Sequence, residues 1–183
     1  MNKIGLLVID MQKGFDDPYW GKRNNPSAEQ NVALLISNWR KYNLPVIHVK
    51  HCSIEEKSPL RTSSKGNQYK EEAIPLSTEK EFSKTVNSAF IGTNLENYLK
   101  EKNIESLVIV GLTTDHCVST STRMASNLGF NVKLISDATA TFDRMGYDGV
   151  LYDAEEIHKI NLTSLNGEFC TVLTTEEILN ETL

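Results

Sequence analysis

The most regular feature of the chain is a set of short apolar runs, rich in β-branched residues, that recur along its length. The runs are IGLLVI at 4–9, VIHV at 46–49, LVIV at 107–110, VKLI at 132–135 and FCTVL at 169–173. An almost unbroken apolar run indicates a strand that is buried on both faces, as in a parallel sheet covered by helices on each side. These runs therefore predict the strands of one parallel sheet.

Segments with helical periodicity and capping sequences lie between the apolar runs. A capping box that starts at Ser27 opens one such segment, and further boxes start at Thr93 and Thr174. Gly129 stands where a C-terminal cap would close a helix that begins near Asp115. The first segment then places four apolar residues on one helical face: Val32, Leu35, Ile36 and Trp39. Strands that alternate with helices predict an α/β fold with three αβα layers and a doubly wound sheet.

Composition and charge are those of an ordinary soluble globular protein. The 183 residues suit a single domain, 1–183, with 39% hydrophobic and 23% charged residues. A net charge of −5 without a basic stripe argues against nucleic acid or an anionic membrane as a partner. We expect no signal peptide and no transmembrane helix, because every apolar run is short. Three widely spaced cysteines without a CxxC pair predict a reducing, cytoplasmic location.

Three polar residues stand near strand ends, where an open parallel sheet binds its ligands. Asp10 ends the first strand, Lys84 follows a segment that could form a short strand, and Cys117 begins the helix after LVIVGLTT. Singly, they have ordinary interpretations as a turn residue, a solvated lysine and a small buried hydrophobe. Together they predict a reactive thiol. A helix N-terminus and an ammonium lower a thiol pKa, and a carboxylate can take the proton.

The motifs around these residues resemble those of the isochorismatase-like cysteine hydrolases, a superfamily that includes nicotinamidases and N-carbamoylsarcosine amidase. LLVIDMQKGF is similar to the aspartate motif, KTVNSAFIGTNLENYL to the lysine motif and VIVGLTTDHCVSTSTRMASNLGFNV to the cysteine motif. SDATATF and HKINLTSLNGEFCTVLTTEEIL are similar to the closing segments. The motifs occur in family order over nearly the whole chain. The resemblance implies a six-stranded parallel sheet and a homodimer or homotetramer.

The resemblance also implies the roles of the site residues. Cys117 would be the nucleophile, Asp10 the proton acceptor and Lys84 the cation that holds both. A cis peptide at Leu112–Thr113 would direct the Thr113 N–H, with that of Cys117, into an oxyanion hole. True isochorismatases, which hydrolyse a vinyl ether, lack the cysteine. Cys117 therefore favours hydrolysis of a small amide, lactam or ureide through a thioester, with no cofactor.

Residues beside the motifs are candidates for the substrate pocket. Phe15 and Trp20 follow the aspartate motif, Phe90 follows the lysine motif, and His116 adjoins Cys117. Aromatic residues in a loop that contains Gly, Pro and Asn suit a pocket wall. A Cys–His dyad is not expected, because adjacent helical residues point about 100° apart.

The sequence predicts no metal site. His48 and His51 are three residues apart in a predicted strand and would face opposite sides, so they could not chelate one ion. The Asp-x-His metal motif of nicotinamidases is not reproduced in VIHVKHCSIEE. This departure argues against both a bound metal and nicotinamide as the substrate.

Two other function classes stay open on the sequence alone. A phosphatase-like α/β enzyme would also place an aspartate after the first strand, but Gln12 stands where it needs a second carboxylate. A non-catalytic binding or redox-sensing protein of the same fold would be indicated by loss of one of the three site residues. All three are present.

Overall fold

The computed structural model of the protein describes residues 3–181, in which strands alternate with helices. The strands are β1 (Lys3–Ile9), β2 (Val46–His51), β3 (Lys80–Lys84), β4 (Ile104–Leu112), β5 (Asn131–Ala140), β6 (Arg144–Met145), β7 (Leu151–Tyr152) and β8 (Thr171–Leu173). The helices are α1 (Ala28–Lys41), α2 (Leu95–Glu101), α3 (Ser119–Asn127), α4 (Ala154–Leu165) and α5 (Thr175–Asn180). A π-helical turn, Thr114–Val118, joins β4 to α3. Within residues 3–181, no helix is long and apolar enough to cross a bilayer.

Six of the strands form one parallel sheet in the order β3–β2–β1–β4–β5–β8. From β1 the chain builds outward through β2 and β3, then returns to build β4, β5 and β8 on the other side. This arrangement confirms the predicted doubly wound, six-stranded sheet. The strand order reverses between β1 and β4, and the crevice beyond the carboxyl ends of strands at such a point is the usual ligand site. Strands β6 and β7 form a separate antiparallel hairpin.

Apolar side chains from the two faces of the sheet form two cores. Along β1, Leu6 and Val8 belong to one core, whereas Leu7 and Ile9 belong to the other, as the alternation of side chains along a strand requires. Helices α1 and α5 contribute to the first core, and α2, α3 and α4 to the second. Both faces of the sheet are therefore buried, which explains the nearly continuous apolar runs and confirms the three-layer architecture.

The helix ends agree with the sequence prediction in part. Thr174 begins the predicted capping box at α5, and Gly129, with a φ of 89°, follows the end of α3. Ser27 precedes α1, but its ψ of 2° departs from the extended backbone typical of an N-cap, and its side chain makes no capping bond. The box predicted at Thr93 is also wrong, because Asn94 is the residue that precedes α2.

The polar segment between β2 and β3 is a long loop that folds back onto the carboxyl edge of the sheet. The Gln12 side chain donates to the carbonyl oxygens of His51 (3.0 Å) and Asn67 (3.1 Å). The Asn67 side chain donates in turn to the Leu60 carbonyl at 2.7 Å. These bonds hold the middle of the loop beside the crevice and place the buried Leu60 at the site.

Candidate active site

Three separate segments bring the predicted site residues to the crevice beyond β1 and β4. Asp10 directly follows β1, and its backbone N–H donates to the Val49 carbonyl at 2.8 Å. Lys84 is the last residue of β3, and its side chain extends past β2 to reach Asp10. Cys117 lies in the π-helical turn after β4. The fold therefore brings together residues that are far apart in the sequence.

The ammonium of Lys84 lies between the carboxylate and the thiol. Lys84 Nζ is 2.6 Å from Asp10 Oδ2 and 3.2 Å from Cys117 Sγ. The Asp10 and Lys84 side chains are both 0% exposed, so this ion pair is shielded from water. Burial opposes the charged form of Lys84, but the charges and hydrogen bonds of Asp10 and Cys117 outweigh burial and raise the pKa of Lys84. Lys84 is therefore a permanent cation of the site.

The thiol of Cys117 is protonated in the resting protein. Burial, followed by the carboxylate of Asp10, raises the pKa of the Cys117 thiol, and the opposing effect of Lys84 is smaller. This corrects the sequence prediction of a lowered thiol pKa, which considered the helix terminus and the lysine without the burial of the sulfur. Because a protonated thiol is a weak nucleophile, an attack by Cys117 would require a base.

One oxygen of Asp10 is free to act as that base. Asp10 Oδ1 is buried and has no hydrogen-bond partner among residues 3–181. A carboxylate oxygen of Asp10 lies within 4.8 Å of Cys117 Sγ. Lys84 occupies Oδ2, so Oδ1 is the oxygen that can take the proton of the thiol.

His51 belongs to the site, although from the sequence it was considered only as a possible metal ligand together with His48. Its Nδ1 is 3.2 Å from Lys84 Nζ, whereas His48 is fully buried and contacts Glu79 at 2.9 Å. The feature that could have identified His51 as a site residue is its position at the end of β2, the strand between β1 and β3. Its pKa is lowered by burial and then by the charge of Lys84, which makes it a neutral ring at neutral pH.

The donor atoms around Lys84 do not fit a metal ion. One donor atom from each of Asp10, His51 and Cys117 forms a group within 4.8 Å, close enough in spacing for a common ion. However, Lys84 Nζ contacts all three residues and occupies the position that such an ion would need. A divalent ion there would also face the ammonium charge at contact distance. The site already contains its cation.

The end of β4 has an unusual backbone that directs Thr113 into the site. The peptide between Leu112 and Thr113 is cis, as the family resemblance implied. Gly111 precedes it with a φ of 119°, and a Cβ at this position would lie 1.9 Å from the Ile9 carbonyl oxygen. Only glycine allows this close approach of β4 to β1. The Thr113 carbonyl then accepts hydrogen bonds from the N–H groups of His116 and Val118 in the π-helical turn.

A cavity of about 90 Å³ opens onto the sulfur of Cys117. Its lining residues are Asp10, Phe15, Trp20, His51, Leu60, Asn87, Thr113, His116 and Cys117. The structure thus places Phe15, Trp20 and His116 of the predicted pocket residues in the wall. A larger groove of about 760 Å³ shares Phe15 but contains neither Lys84 nor Cys117. Because the sulfur of Cys117 faces the smaller cavity, that cavity is the candidate substrate site.

Phe90 does not line the cavity, which corrects the prediction from the lysine motif. Its ring packs in the second core, with its centroid 6.1 Å from that of Phe130. The chain turns inward after Asn87, where the Ala89 N–H donates to the Ser121 hydroxyl at 3.0 Å. Asn87 is therefore the wall residue from this segment, and its Oδ1 is 3.9 Å from the sulfur of Cys117. No periodic pattern distinguishes a wall residue from a core residue in such a loop.

The aromatic wall is held by packing and by one hydrogen bond. The ring of Trp20 lies 5.0 Å from that of Phe15 and 5.8 Å from that of Phe142, measured between centroids. The indole N–H of Trp20 donates to the Gly14 carbonyl at 2.8 Å. These contacts fix the indole plane beside the cavity.

The opposite wall, around His116, is fixed by a buried acid. Arg144 Nε and Thr141 Oγ1 donate to the carboxylate of Asp115 at 2.7 and 2.5 Å. Burial opposes the charge of Asp115, but these bonds outweigh it and lower the pKa of Asp115. The His116 side chain is 53% exposed and lies 3.5 Å from Asp115. Partial burial of the ring lowers the pKa of His116, so the ring forms a neutral part of the wall.

Gln12, the residue that the phosphatase alternative depended on, has a structural role. Its side chain donates to the carbonyl oxygen of His51 and accepts from the His51 N–H at 2.8 Å. Gln12 is fully buried beneath the loop and is not among the residues that line the cavity. A phosphatase-like role for this edge of the sheet is therefore not favoured.

Comparison with known proteins agrees with this architecture. A family model, the isochorismatase domain, matches residues 5–177. The isochorismatase family protein YrdC of Bacillus subtilis (strain 168) is 47% identical over 179 residues, which cover 98% of this chain and 96% of that protein. Nicotinamidase 3 of Arabidopsis thaliana is 26% identical over 189 residues, which cover 94% of this chain and 85% of that protein.

The solved structures lead to the same result. A structure of an isochorismatase-family protein from Chromobacterium violaceum matches with a TM-score of 0.94 and 43% sequence identity. The match covers 98% of this chain and 93% of that chain. The resemblance inferred from the sequence motifs is confirmed, and the chain belongs to the isochorismatase family.

Proposed function

We propose that this protein is a metal-independent cysteine hydrolase that cleaves the C–N bond of a small amide, lactam or ureide. The observation that carries the proposal is the position of the Lys84 ammonium, in hydrogen-bond contact with both Asp10 and Cys117. A lysine in this position stabilises negative charge on either partner, whichever one holds the proton. The pair can therefore exchange a proton during the reaction without an unpaired charge in the buried site.

The reaction would proceed through a thioester. As Cys117 Sγ attacks the substrate carbonyl, its proton passes to Asp10 Oδ1, and the carbonyl oxygen becomes an oxyanion. The backbone N–H groups of Thr113 and Cys117 would stabilise that oxyanion. When the C–N bond breaks, Asp10 returns the proton to the departing nitrogen, which leaves as the amine or ammonia.

Hydrolysis of the thioester would use the same carboxylate. Asp10, ionised again, accepts a proton from a water molecule that attacks the acyl carbon. The C–S bond then breaks, the acid product leaves, and the proton returns to the sulfur. Lys84 remains charged throughout, and Asp10 serves as base and acid in turn.

Substitution of the thiol tests this proposal. Turnover of small amides and ureides is measured for wild type, Cys117→Ala and Cys117→Ser, with Cys52→Ala and Cys170→Ala as matched controls for loss of a free cysteine. We expect both Cys117 variants to lose turnover while their circular dichroism is unchanged, and the two controls to retain it. Turnover within severalfold of wild type in Cys117→Ala would refute the proposal. The homo-oligomeric state and the cytoplasmic location stay predictions.

A further inference from the structure

We infer that the substrate is a small, uncharged primary amide whose enclosed part amounts to about four non-hydrogen atoms, as in acetamide or urea. This inference rests on the proposed function and narrows it. It follows from the size of the cavity at Cys117, the rigidity of its walls and the absence of a free cation among the described residues that line it.

The volume of the cavity limits the size of the substrate. An apolar protein cavity of about 150 Å³ binds benzene, which corresponds to roughly 25 Å³ for each non-hydrogen atom. On this scale the cavity of about 90 Å³ holds about four such atoms. A carboxamide with one further carbon uses all of this space, and an aromatic ring with a carboxamide group exceeds it.

The side chains that line the cavity are packed too tightly to move aside for a larger molecule. Phe15 and Leu60 are almost completely buried and belong to the first core, so moving either side chain disturbs packed neighbours. Trp20 packs against the core and is held by its hydrogen bond to Gly14. The size limit is therefore a property of the fold and not of a single flexible side chain.

No cation beside the sulfur, within the part of the chain that the structure describes, is left to pair with an anionic substrate. A lysine ammonium has three N–H donors, and Lys84 Nζ is within hydrogen-bond distance of Asp10, Cys117 and His51. No arginine among residues 3–181 lines the cavity, and the neighbouring Arg144 is bonded to Asp115. A substrate carboxylate would therefore lose its hydration without gaining a partner, which is strongly unfavourable.

The position of the base favours an unsubstituted nitrogen. Asp10 is 0% exposed and must protonate the departing nitrogen, so that nitrogen lies on the buried side of the cavity. A substituent on it would point toward the closed wall. Asn87, at the exposed side, offers its Oδ1 close to the sulfur and could accept from the second amino group of urea.

Labelling of Cys117 tests the size and charge limits without requiring turnover. The probes are chloroacetamide, chloroacetate of equal size but negative charge, and bulky N-benzyl chloroacetamide, each scaled by its rate with glutathione. We expect chloroacetamide to label Cys117 at least about 10-fold faster than either other probe. Trp20→Ala should raise the relative rate of the bulky probe alone. Tyr42→Ala, which removes an exposed aromatic ring after α1 on the opposite edge of the sheet, should leave all three rates unchanged.

Equal relative rates for the three probes, or faster labelling by chloroacetate, would overturn the inference. A turnover series distinguishes this failure from failure of the proposed function. Preferred hydrolysis of benzamide or of anionic succinamate over acetamide would overturn the size and charge limits while the cysteine hydrolase proposal stands. Selective labelling by chloroacetamide without hydrolysis of any amide would support the cavity limits and count against the proposed function.

Discussion

Replacement of Lys84 by methionine removes the charge of the site but keeps a side chain of similar length. Lys84 Nζ lies 3.2 Å from the sulfur of Cys117, and with an effective dielectric constant of about 20 this gives roughly 5 kcal/mol of attraction for a thiolate. If water that enters the site recovers half of this energy, the loss is about 2.6 kcal/mol, or roughly 80-fold in thiolate population. Alkylation of Cys117 by iodoacetamide should slow by that factor, because only the thiolate reacts.

The assay is the pH dependence of Cys117 alkylation, followed by mass spectrometry of the Cys117 peptide. Lys70→Met is the matched control, because Lys70 is another buried lysine in an ion-paired cluster, with Asp16 and Glu29, that lies outside the catalytic cavity. We expect the control to react within twofold of wild type. If Lys84→Met and wild type gave superimposable profiles while both were folded, Lys84 would not tune the thiol, and the three-residue mechanism would have to be abandoned.

Three further predictions concern stability, pH and metal. Lys84→Met should lower the free energy of unfolding by about 3–5 kcal/mol, because it leaves Asp10 buried and unpaired. Adding Asp10→Asn to Lys84→Met should recover at least half of that loss, as measured by urea denaturation. If the two substitutions lowered the free energy of unfolding additively, that result would contradict the ion pair. Burial lowers the pKa of all four histidines below the ordinary 6.5, so below that pH the unfolded chain binds more protons than the folded protein. The free energy of unfolding should therefore fall as pH falls below about 6.5, by at most about 1.4 kcal/mol per buried histidine and pH unit, and by less for the half-exposed His116. Urea denaturation at about pH 7.5 and 5.5 measures this slope, His48→Gln should reduce it, and a flat profile would contradict it. Dialysis against a chelator should leave kcat/KM unchanged, whereas stoichiometric zinc or iron in the purified protein would contradict the role assigned to Lys84.

The parts of the fold that local patterns determine were predictable from the sequence. Buried parallel strands are apolar at nearly every position, so the runs at 4–9 and 107–110 located β1 and β4. Residues directly after such strands lie at the carboxyl edge of the sheet, which is why Asp10 and Cys117 could be proposed as partners. The family resemblance added the cis peptide at Leu112–Thr113, for which no local pattern exists.

The parts that depend on long-range contacts were not predictable. His51 enters the site because β2 lies between β1 and β3. The sequence of β2 alone does not determine this strand order. Leu60 reaches the cavity because Asn67 and Gln12 fold the long loop back onto the sheet. Burial reversed the expected direction of the thiol pKa of Cys117, because desolvation depends on the whole surrounding structure.

In the segment after β3, the sequence also could not predict which side chain lines the cavity. The sequence favoured Phe90 as a pocket wall because it is aromatic and follows the lysine motif. In the structure, Asn87 faces the sulfur and Phe90 packs against Phe130. The difference arises from the inward turn fixed by Ser121 on α3, a contact between residues far apart in the chain.

Rapid-quench mass spectrometry during the first turnover tests the central claim most directly. The protein is mixed with a high concentration of an amide that it hydrolyses, and the reaction is stopped with acid. The mass of the Cys117 peptide is then measured. The proposed mechanism predicts a transient mass increase equal to the acyl group on Cys117, which disappears as the acid product forms and is absent from Asp10→Asn. Steady hydrolysis in wild type without any acyl group on Cys117 at any time point would contradict it.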